Sequence, residues 1–202
     1  MTYHKKNRLY IAIEPPEDVK LEIKKIQVFI NENTDNILST KSYTPELLHI
    51  TIQFIGDIEE ELIPHYENIL KNITKQTKPF DLTQSMNNAV FTFYAKHVAA
   101  FKLLDTHNQD LQNIVNSLRQ EFLNYFINDQ EAKLSFDARH ELFDAHLSFG
   151  RTKQPHASFF ETTIIKSPEC KSFIVNRLVL FKRFLHDDNR VEKKYFPLLG
   201  LL

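Results

Sequence analysis

The sequence predicts an α+β fold built from a duplicated α/β unit, with a cleft between the two lobes. Strand-like and helix-like segments follow one another in the same order in both halves of the chain, and each half holds one strand that carries a histidine and a hydroxyl residue. A chain of 202 residues suits one domain. We therefore expect residues 1–202 to form a single domain of two pseudo-symmetric lobes. Identity between the halves is slight, so an α+β domain without duplication is the alternative.

The first half of the chain is predicted to contain two strand and helix pairs. Leu9–Ile13 is a short apolar strand, and residues 16–31 form a helix because a proline and two acidic residues open it and apolar residues recur at helical spacing. Leu48–Ile55 reads as the second strand, ended by Gly56. Residues 59–75 then form the second helix.

The second half repeats this order. Strands are predicted at 80–93, 98–104, 142–149, 173–185 and 195–199, and a long helix at 105–126. Residues 128–141 have no clear period, so we interpret them as an insertion near the functional site.

Composition and charge narrow the classes of function. A net charge of −1 gives no broad positive field for a long duplex, so an RNA 3' end or a small cyclic nucleotide is the expected partner. The single Cys170 excludes an internal disulfide framework and favours the cytoplasm. The apolar run Leu9–Ile13 is too short for a signal peptide or a membrane span, so no membrane partner is expected.

Two predicted strands contain the candidate catalytic residues. Alternation places His49, Thr51 and Gln53 on one face of the first, with Leu48, Ile50, Ile52 and Phe54 on the other; in the second it places His146 and Ser148 together, with Ala145, Leu147 and Phe149 behind them. A single histidine on a half-buried strand is more often structural than catalytic. Two copies, each two residues before a hydroxyl, favour a pair of imidazoles that divide acid and base work near neutral pH.

These segments resemble the two-histidine phosphoesterases, and among them the bacterial and archaeal RNA 2',3'-cyclic phosphodiesterases, historically called 2'-5' RNA ligases. The resemblance rests on Arg8–Pro16 as opening strand and turn, Leu48–Gly56 as first motif and His146–Arg151 as second. Residues 178–181 and 195–198 are similar to the family's closing hairpin.

The resemblance implies antiparallel sheets lining the cleft, helices outside, and metal-independent hydrolysis of a 2',3'-cyclic phosphate to a 2'-phosphate. It implies His49 as proton donor and His146 as acceptor, although the residues alone do not distinguish the two roles. Thr51 and Ser148 would stabilise charge on the phosphate. We expect a monomer with no cofactor and no metal. The alternatives are activity on 2'-5'-linked or cyclic oligonucleotides or on ADP-ribose cyclic phosphate, and a nucleotide-binding module without turnover.

Three positions depart from the family or from simple geometry. Ser148 stands where threonine is more usual, which keeps the hydroxyl but loses the methyl group that restrains its rotamer. Tyr43 lies near the place of a frequent tryptophan, so stacking on a base falls to Tyr43 or is lost. Arg151 matches a basic residue that contacts phosphate, but alternation places it opposite His146. Its role therefore requires a bulge, which Gly150 could supply, and a surface arginine is the alternative.

The remaining histidines show no metal-binding spacing, and we interpret most of them as surface or structural residues. His140 and His156 flank the second motif and are candidates for approaching the cleft. Residues 187–190, with Lys193 and Lys194, read as a hairpin tip and its solvated edges.

Overall fold

The computed structural model describes residues 6–32, 44–82, 90–94, 98–102, 108–125, 143, 145–151, 173–184 and 190–198. The strands within these ranges are β1 Lys6–Ile13, β2 His49–Glu59, β3 Phe80–Asp81, β4 Val90–Tyr94, β5 Val98–Lys102, β6 His146–Arg151, β7 Ile174–Val175, β8 Arg177–Phe184 and β9 Val191–Pro197. The α-helices are α1 Glu17–Glu32, α2 Ile63–Gln76 and α3 Gln109–Tyr125, and 3₁₀ turns cover Pro45–Leu47 and Glu60–Leu62.

Seven strands form one sheet in the order β4-β5-β6-β2-β1-β8-β9, and β3 pairs with β7 separately. Every neighbouring pair is antiparallel. The α+β prediction with antiparallel strands is therefore confirmed. The two motif strands, β2 and β6, lie side by side at the centre, so the strands on either side of the expected cleft join in a continuous sheet.

The three helices share one core with one face of this sheet. Strand residues Leu9, Ile11 and Ile13 are fully or almost fully buried there, and full burial of each such side chain contributes about 1.5–3 kcal/mol. The helices add these buried residues to the same core: Val19, Ile23, Ile30, Tyr66, Ile69, Leu70, Ile73, Leu111, Ile114, Val115, Leu118 and Phe122. No helix among the described residues is long and apolar enough to cross a membrane. The opposite face of the sheet remains for the candidate site.

The second strand continues beyond the glycine that was expected to end it. Leu9 pairs with Gly56 and Tyr10 with Phe54, so Ile55 is an extra residue and the strand bulges. Gly56 has φ 121°, a conformation that side chains disfavour. Past the bulge, Arg8 donates two hydrogen bonds to Asp57, at 2.8 and 3.1 Å. The glycine bends the strand rather than terminating it.

Other element ends also differ from the prediction. Helix α3 begins at Gln109 rather than 105 because Asn108 caps it, its side-chain oxygen accepting from the Leu111 amide at 3.0 Å. The predicted strand 173–185 divides at Asn176 into β7 and β8, since β7 pairs with β3 outside the main sheet. Strand β6 begins at His146 rather than 142, and β9 at Val191 rather than 195.

Candidate active site

The two motifs meet where β2 pairs with β6. His49 lies directly opposite Ser148, and Ile50 opposite Leu147. Extending this register by one residue places Thr51 opposite His146. Directly opposed side chains in an antiparallel pair point to the same side of the sheet. The two imidazoles and two hydroxyls therefore share one face, and all four residues are half-buried.

The predicted alternation of β2 is correct through Ile52 and wrong beyond it. Ala12 pairs with Thr51 but Ile11 pairs with Gln53, so Ile52 is an extra residue and a second bulge shifts the pattern. Gln53 is consequently 1% exposed and lies on the core side with Ile11. It does not join His49 and Thr51 on the site face.

Strand β6 bulges as well, at Phe149. Ser148 pairs with Ala100 and Gly150 with Ala99, which leaves Phe149 as the extra residue. Ala145, Leu147 and Phe149 are fully buried, as predicted. Beyond the bulge, Arg151 pairs with Val98, which lies on the same face of β5 as Ala100. The bulge thus brings the exposed Arg151 to the face of His146 and Ser148, although it is centred on Phe149 rather than on Gly150.

A buried side chain from helix α1 supports this bulge. The amide nitrogen of Gln27, a residue only 5% exposed, donates a hydrogen bond to the carbonyl oxygen of Phe149. A bulged residue is left out of the regular ladder, and a buried carbonyl without a partner is costly. Gln27 therefore ties the helical layer to the second motif.

His49 lies in a largely apolar environment that fixes its orientation. Its Nδ1 lies 2.6 Å from the carbonyl oxygen of Leu47. A carbonyl only accepts, so in the neutral ring Nδ1 carries the proton and Nε2 does not. The ring packs against Tyr10 and Phe181, with centroid separations of 4.8 and 5.0 Å.

This environment keeps His49 neutral in the free protein. The pKa of His49 is lowered to about 4, chiefly by burial and also by the nearby Lys193 and His146, against the opposing effect of the Leu47 carbonyl. The influence of His146 on this pKa is consistent with the two imidazoles lying close together on the site face. Their register makes them diagonal neighbours, typically about 7–8 Å apart at the backbone.

A group of charges centred on Glu14, here called the Glu14 cluster, lies next to His49. Glu14 is 5% exposed, and its Oε1 accepts hydrogen bonds from Lys193 at 2.7 Å and Lys20 at 3.0 Å. Arg177 lies 3.7 Å from Oε2. Burial alone would raise the pKa of Glu14, but Lys193 and Lys20 hold this pKa below its usual value. Tyr195 is the fifth member of the cluster, since its phenol interacts with the Glu14 carboxylate. Burial and this carboxylate both raise the pKa of the phenol.

The Glu14 cluster corrects the interpretation of Lys193 as a solvated strand edge. Lys193 is 16% exposed and paired with a buried carboxylate, whereas Lys194 is 53% exposed and paired with Glu67. Alternation along β9, which gives these two neighbours opposite faces, was the signal that distinguishes them.

Several predicted features lie outside the described residues: Tyr43, His140, His156 and the insertion 128–141. Among the residues that are described, no group of three or more His, Cys, Asp or Glu side chains could hold a metal ion.

Comparison with known proteins agrees with the motifs. Residues 13–85 match the model of the LigT-like phosphoesterase family. An RNA 2',3'-cyclic phosphodiesterase of Archaeoglobus fulgidus is 25% identical over 166 residues, 82% of this chain and 83% of the relative. The protein of that name from Methanothermobacter thermautotrophicus is 23% identical over 150 residues, 74% of this chain and 73% of the relative.

Solved structures show the same fold. A protein of Thermus thermophilus aligns over 96% of this chain and 100% of its own, with TM-score 0.69 and 19% identity. Ligand-free E. coli LigT aligns over 97% of this chain and 99% of its own, with TM-score 0.64 and 18% identity. The complex of E. coli LigT with 3'-AMP gives TM-score 0.63 at 18% identity, with the same coverage.

The fold and the paired motifs thus resemble those of the two-histidine phosphoesterases. More narrowly, the chain is similar to the LigT-like phosphoesterases, and this similarity confirms the resemblance that the motifs predict.

Proposed function

We propose that this protein hydrolyses RNA-type 2',3'-cyclic phosphates to 2'-phosphomonoesters by histidine acid and base catalysis, without a metal ion. The observation that carries the proposal is the pairing of β2 with β6, which places His49 opposite Ser148 on one face. The names of the archaeal relatives support the same substrate class.

In the proposed reaction, a water molecule attacks phosphorus in line with the ribose O3'. His146 accepts a proton from the water, the bond between phosphorus and O3' breaks, and His49 donates a proton to O3'. Thr51 and Ser148 donate hydrogen bonds to the non-bridging oxygens, where Arg151 adds positive charge. The products are a 2'-phosphate and a free 3'-hydroxyl.

The donor role requires His49 to gain a proton that it lacks in the free protein. Burial holds its pKa at about 4, but an anionic phosphate beside Nε2 favours the charged imidazole. Substrate binding and protonation of His49 are therefore coupled. This coupling favours anionic substrates, because a neutral ligand would leave the donor without its proton.

A substrate panel followed by phosphorus NMR tests the proposal. The panel contains a 2',3'-cyclic nucleotide, a 2'-5'-linked dinucleotide and ADP-ribose cyclic phosphate. We expect the cyclic nucleotide to be converted to the 2'-phosphate with the highest kcat/KM, and EDTA to leave this rate unchanged. Preference for either of the other substrates would replace the proposed one. Loss of activity in EDTA that a divalent ion restores would contradict the metal-free mechanism, and binding without turnover would indicate a nucleotide-binding module.

A further inference from the structure

The Glu14 cluster contains more positive charge than its buried carboxylate needs. Lys20 already neutralises Glu14 from helix α1, with its ammonium 3.0 Å from Oε1 and only 6% of its side chain exposed. Lys193 and Arg177 add two further cations. The other carboxylate in the cluster's contacts is Glu17, which is 77% exposed and bonded to Lys20. Three cations thus face one buried carboxylate, Glu14, and two exposed ones, Glu17 and Glu46, whose charge solvent screens.

The ammonium group of Lys193 lies near the same aromatic ring as His49, on the site face. Lys193 pairs with Phe181 across β9 and β8, and its Nζ lies 5.3 Å from the centroid of the Phe181 ring. The His49 ring lies 5.0 Å from the same centroid. Both groups therefore contact one phenyl ring. Among the described residues, Glu14 is the one acceptor of a hydrogen bond from Lys193 Nζ, so two of its three N–H groups remain for a ligand.

The position of Lys193 separates it from the reacting phosphate. The sheet order places β6, with His146, on one side of β2, and places β1, β8 and β9 on the other. A phosphate between the two histidines lies at the seam of β2 and β6. Lys193 lies beyond His49 from that seam, on the side of β1, β8 and β9. The exposed Glu46 is within electrostatic range of Lys193, but water screens it.

A cavity and an accessible aromatic ring adjoin the cluster. A cavity of about 300 Å³ opens next to Glu14, and its lining includes Pro15, Lys20 and Arg177. Arg177 stacks over Tyr195 at 4.6 Å from the ring centroid, and Tyr195 is 46% exposed. Cations beside an accessible aromatic ring are the groups that single-stranded nucleic acid contacts.

From this arrangement we propose that Lys193 forms a second anion subsite, which binds the phosphodiester group next to the reacting nucleotide and makes an RNA 3' end a better substrate than a mononucleotide. The proposal rests on the proposed function. Glu14 holds the lysine side chain in place, and the excess charge of the cluster provides the attraction. Arg177, which is 52% exposed, adds positive charge from the solvent-facing side of the Glu14 cluster.

The test compares two substrates, a 2',3'-cyclic mononucleotide and a dinucleotide that ends in a 2',3'-cyclic phosphate. We expect the wild type to have the higher kcat/KM on the dinucleotide. Lys193→Met should lower the ratio of the two kcat/KM values by about tenfold, the usual effect of losing a hydrogen bond to a charged group. Lys193→Arg should retain the preference. Lys194→Met is the matched control, because its neighbouring ammonium lies on the other face of β9, and it should leave the ratio unchanged.

The outcomes separate this inference from the proposed function. Hydrolysis of both substrates without preference, or an equal loss on both in Lys193→Met, overturns the subsite and leaves the proposed function standing. Hydrolysis of neither by the wild type overturns the proposed function. Calorimetry with a nucleotide 2'-phosphate and a dinucleotide with a terminal 2'-phosphate then tests the subsite without turnover. Tighter binding of the dinucleotide, lost in Lys193→Met, supports the subsite, and equal affinities overturn it.

Discussion

His49 is a titratable residue in a mostly apolar environment, and its protonation can be measured directly. In the free protein we expect its NMR titration midpoint at about 4, because burial and the charge of Lys193 disfavour the imidazolium. Bound inorganic phosphate or a nucleotide 2'-phosphate should move the midpoint upward, since the anion stabilises the protonated ring. A midpoint near the ordinary histidine value without ligand, or no shift with ligand, would contradict the proposed coupling.

The same pKa makes folding stability depend on pH. Because the folded pKa of His49 lies below the unfolded value, the unfolded chain binds the proton first, and stability falls as pH decreases from about 6.5 to about 4. Urea unfolding of the wild type and of His49→Gln at pH 7 and pH 5 checks this. The wild type should lose more stability between the two pH values than the variant. Equal losses would mean that His49 is not buried as a neutral ring.

At the residue scale, alternation in the sequence predicts correctly which face of a strand each side chain occupies where the strand is regular. It fails where the strand bulges. His49, Thr51, His146 and Ser148 share one face as predicted, because each pair is separated by one residue within a regular stretch. The face occupied by Gln53 could not be predicted from the sequence, because the bulge at Ile52 depends on how β2 pairs with β1. Alternation along β9 separates Lys193 from Lys194, but the partner of Lys193 could not be predicted because Glu14 lies 179 positions away in the chain.

At the scale of elements, Gln27 links helix α1 to the bulge in the second motif. Gln27→Met keeps the side-chain length but removes the donor to Phe149, so we expect a loss of about 1–3 kcal/mol in stability. A displaced bulge should also lower kcat/KM by about 10- to 100-fold, because small misplacements of catalytic groups are costly. Gln120→Met, at an exposed position of α3, is the control. Unchanged kcat/KM in Gln27→Met would show that the bulge does not depend on this bond.

The bend at Gly56 is a second element-scale feature that can be tested. A Cβ atom added there would meet nothing within 4 Å, so Gly56→Ala should destabilise through its φ of 121° alone, by about 1–3 kcal/mol. Asp57→Ala is the matched control, because it removes an exposed ion pair next to the bend and should cost at most about 1 kcal/mol. Urea unfolding measures both. A Gly56→Ala variant as stable as the wild type would mean that the strand does not need this conformation.

Periodicity in the sequence predicts whether a segment is a helix or a strand. The ends of each element depend on tertiary contacts, which leave no periodic pattern. Helix α1 was placed almost to the residue because its acidic first turn and apolar spacing agree. The strand predicted at 173–185 divides because β7 pairs with β3, a partner far earlier in the chain. Long-range pairing of this kind has no local signal in the sequence.

At the scale of the whole molecule, two motif strands that are far apart in the chain meet at the centre of one sheet. Among the described residues, β2 and β6 pair only at His49 with Ser148 and at Ile50 with Leu147. This short seam joins the strands β9, β8, β1 and β2 to β6, β5 and β4. The single domain of two pseudo-symmetric lobes, the monomeric state and the cytoplasmic location stay predictions. The proposed acid and base catalysis takes place at this seam.

The kcat on a 2',3'-cyclic nucleotide for His49→Ala, His146→Ala and the double variant measures whether the reaction requires both histidines. Each single variant should lose about 10²- to 10⁴-fold in rate, the usual contribution of a positioned acid or base. The double variant should be little slower than the slower single one, because residues that act in one step are not additive. His65→Gln, on the helical side of the sheet, should keep full activity. Full activity in a folded His49→Ala or His146→Ala variant would contradict the two-histidine mechanism.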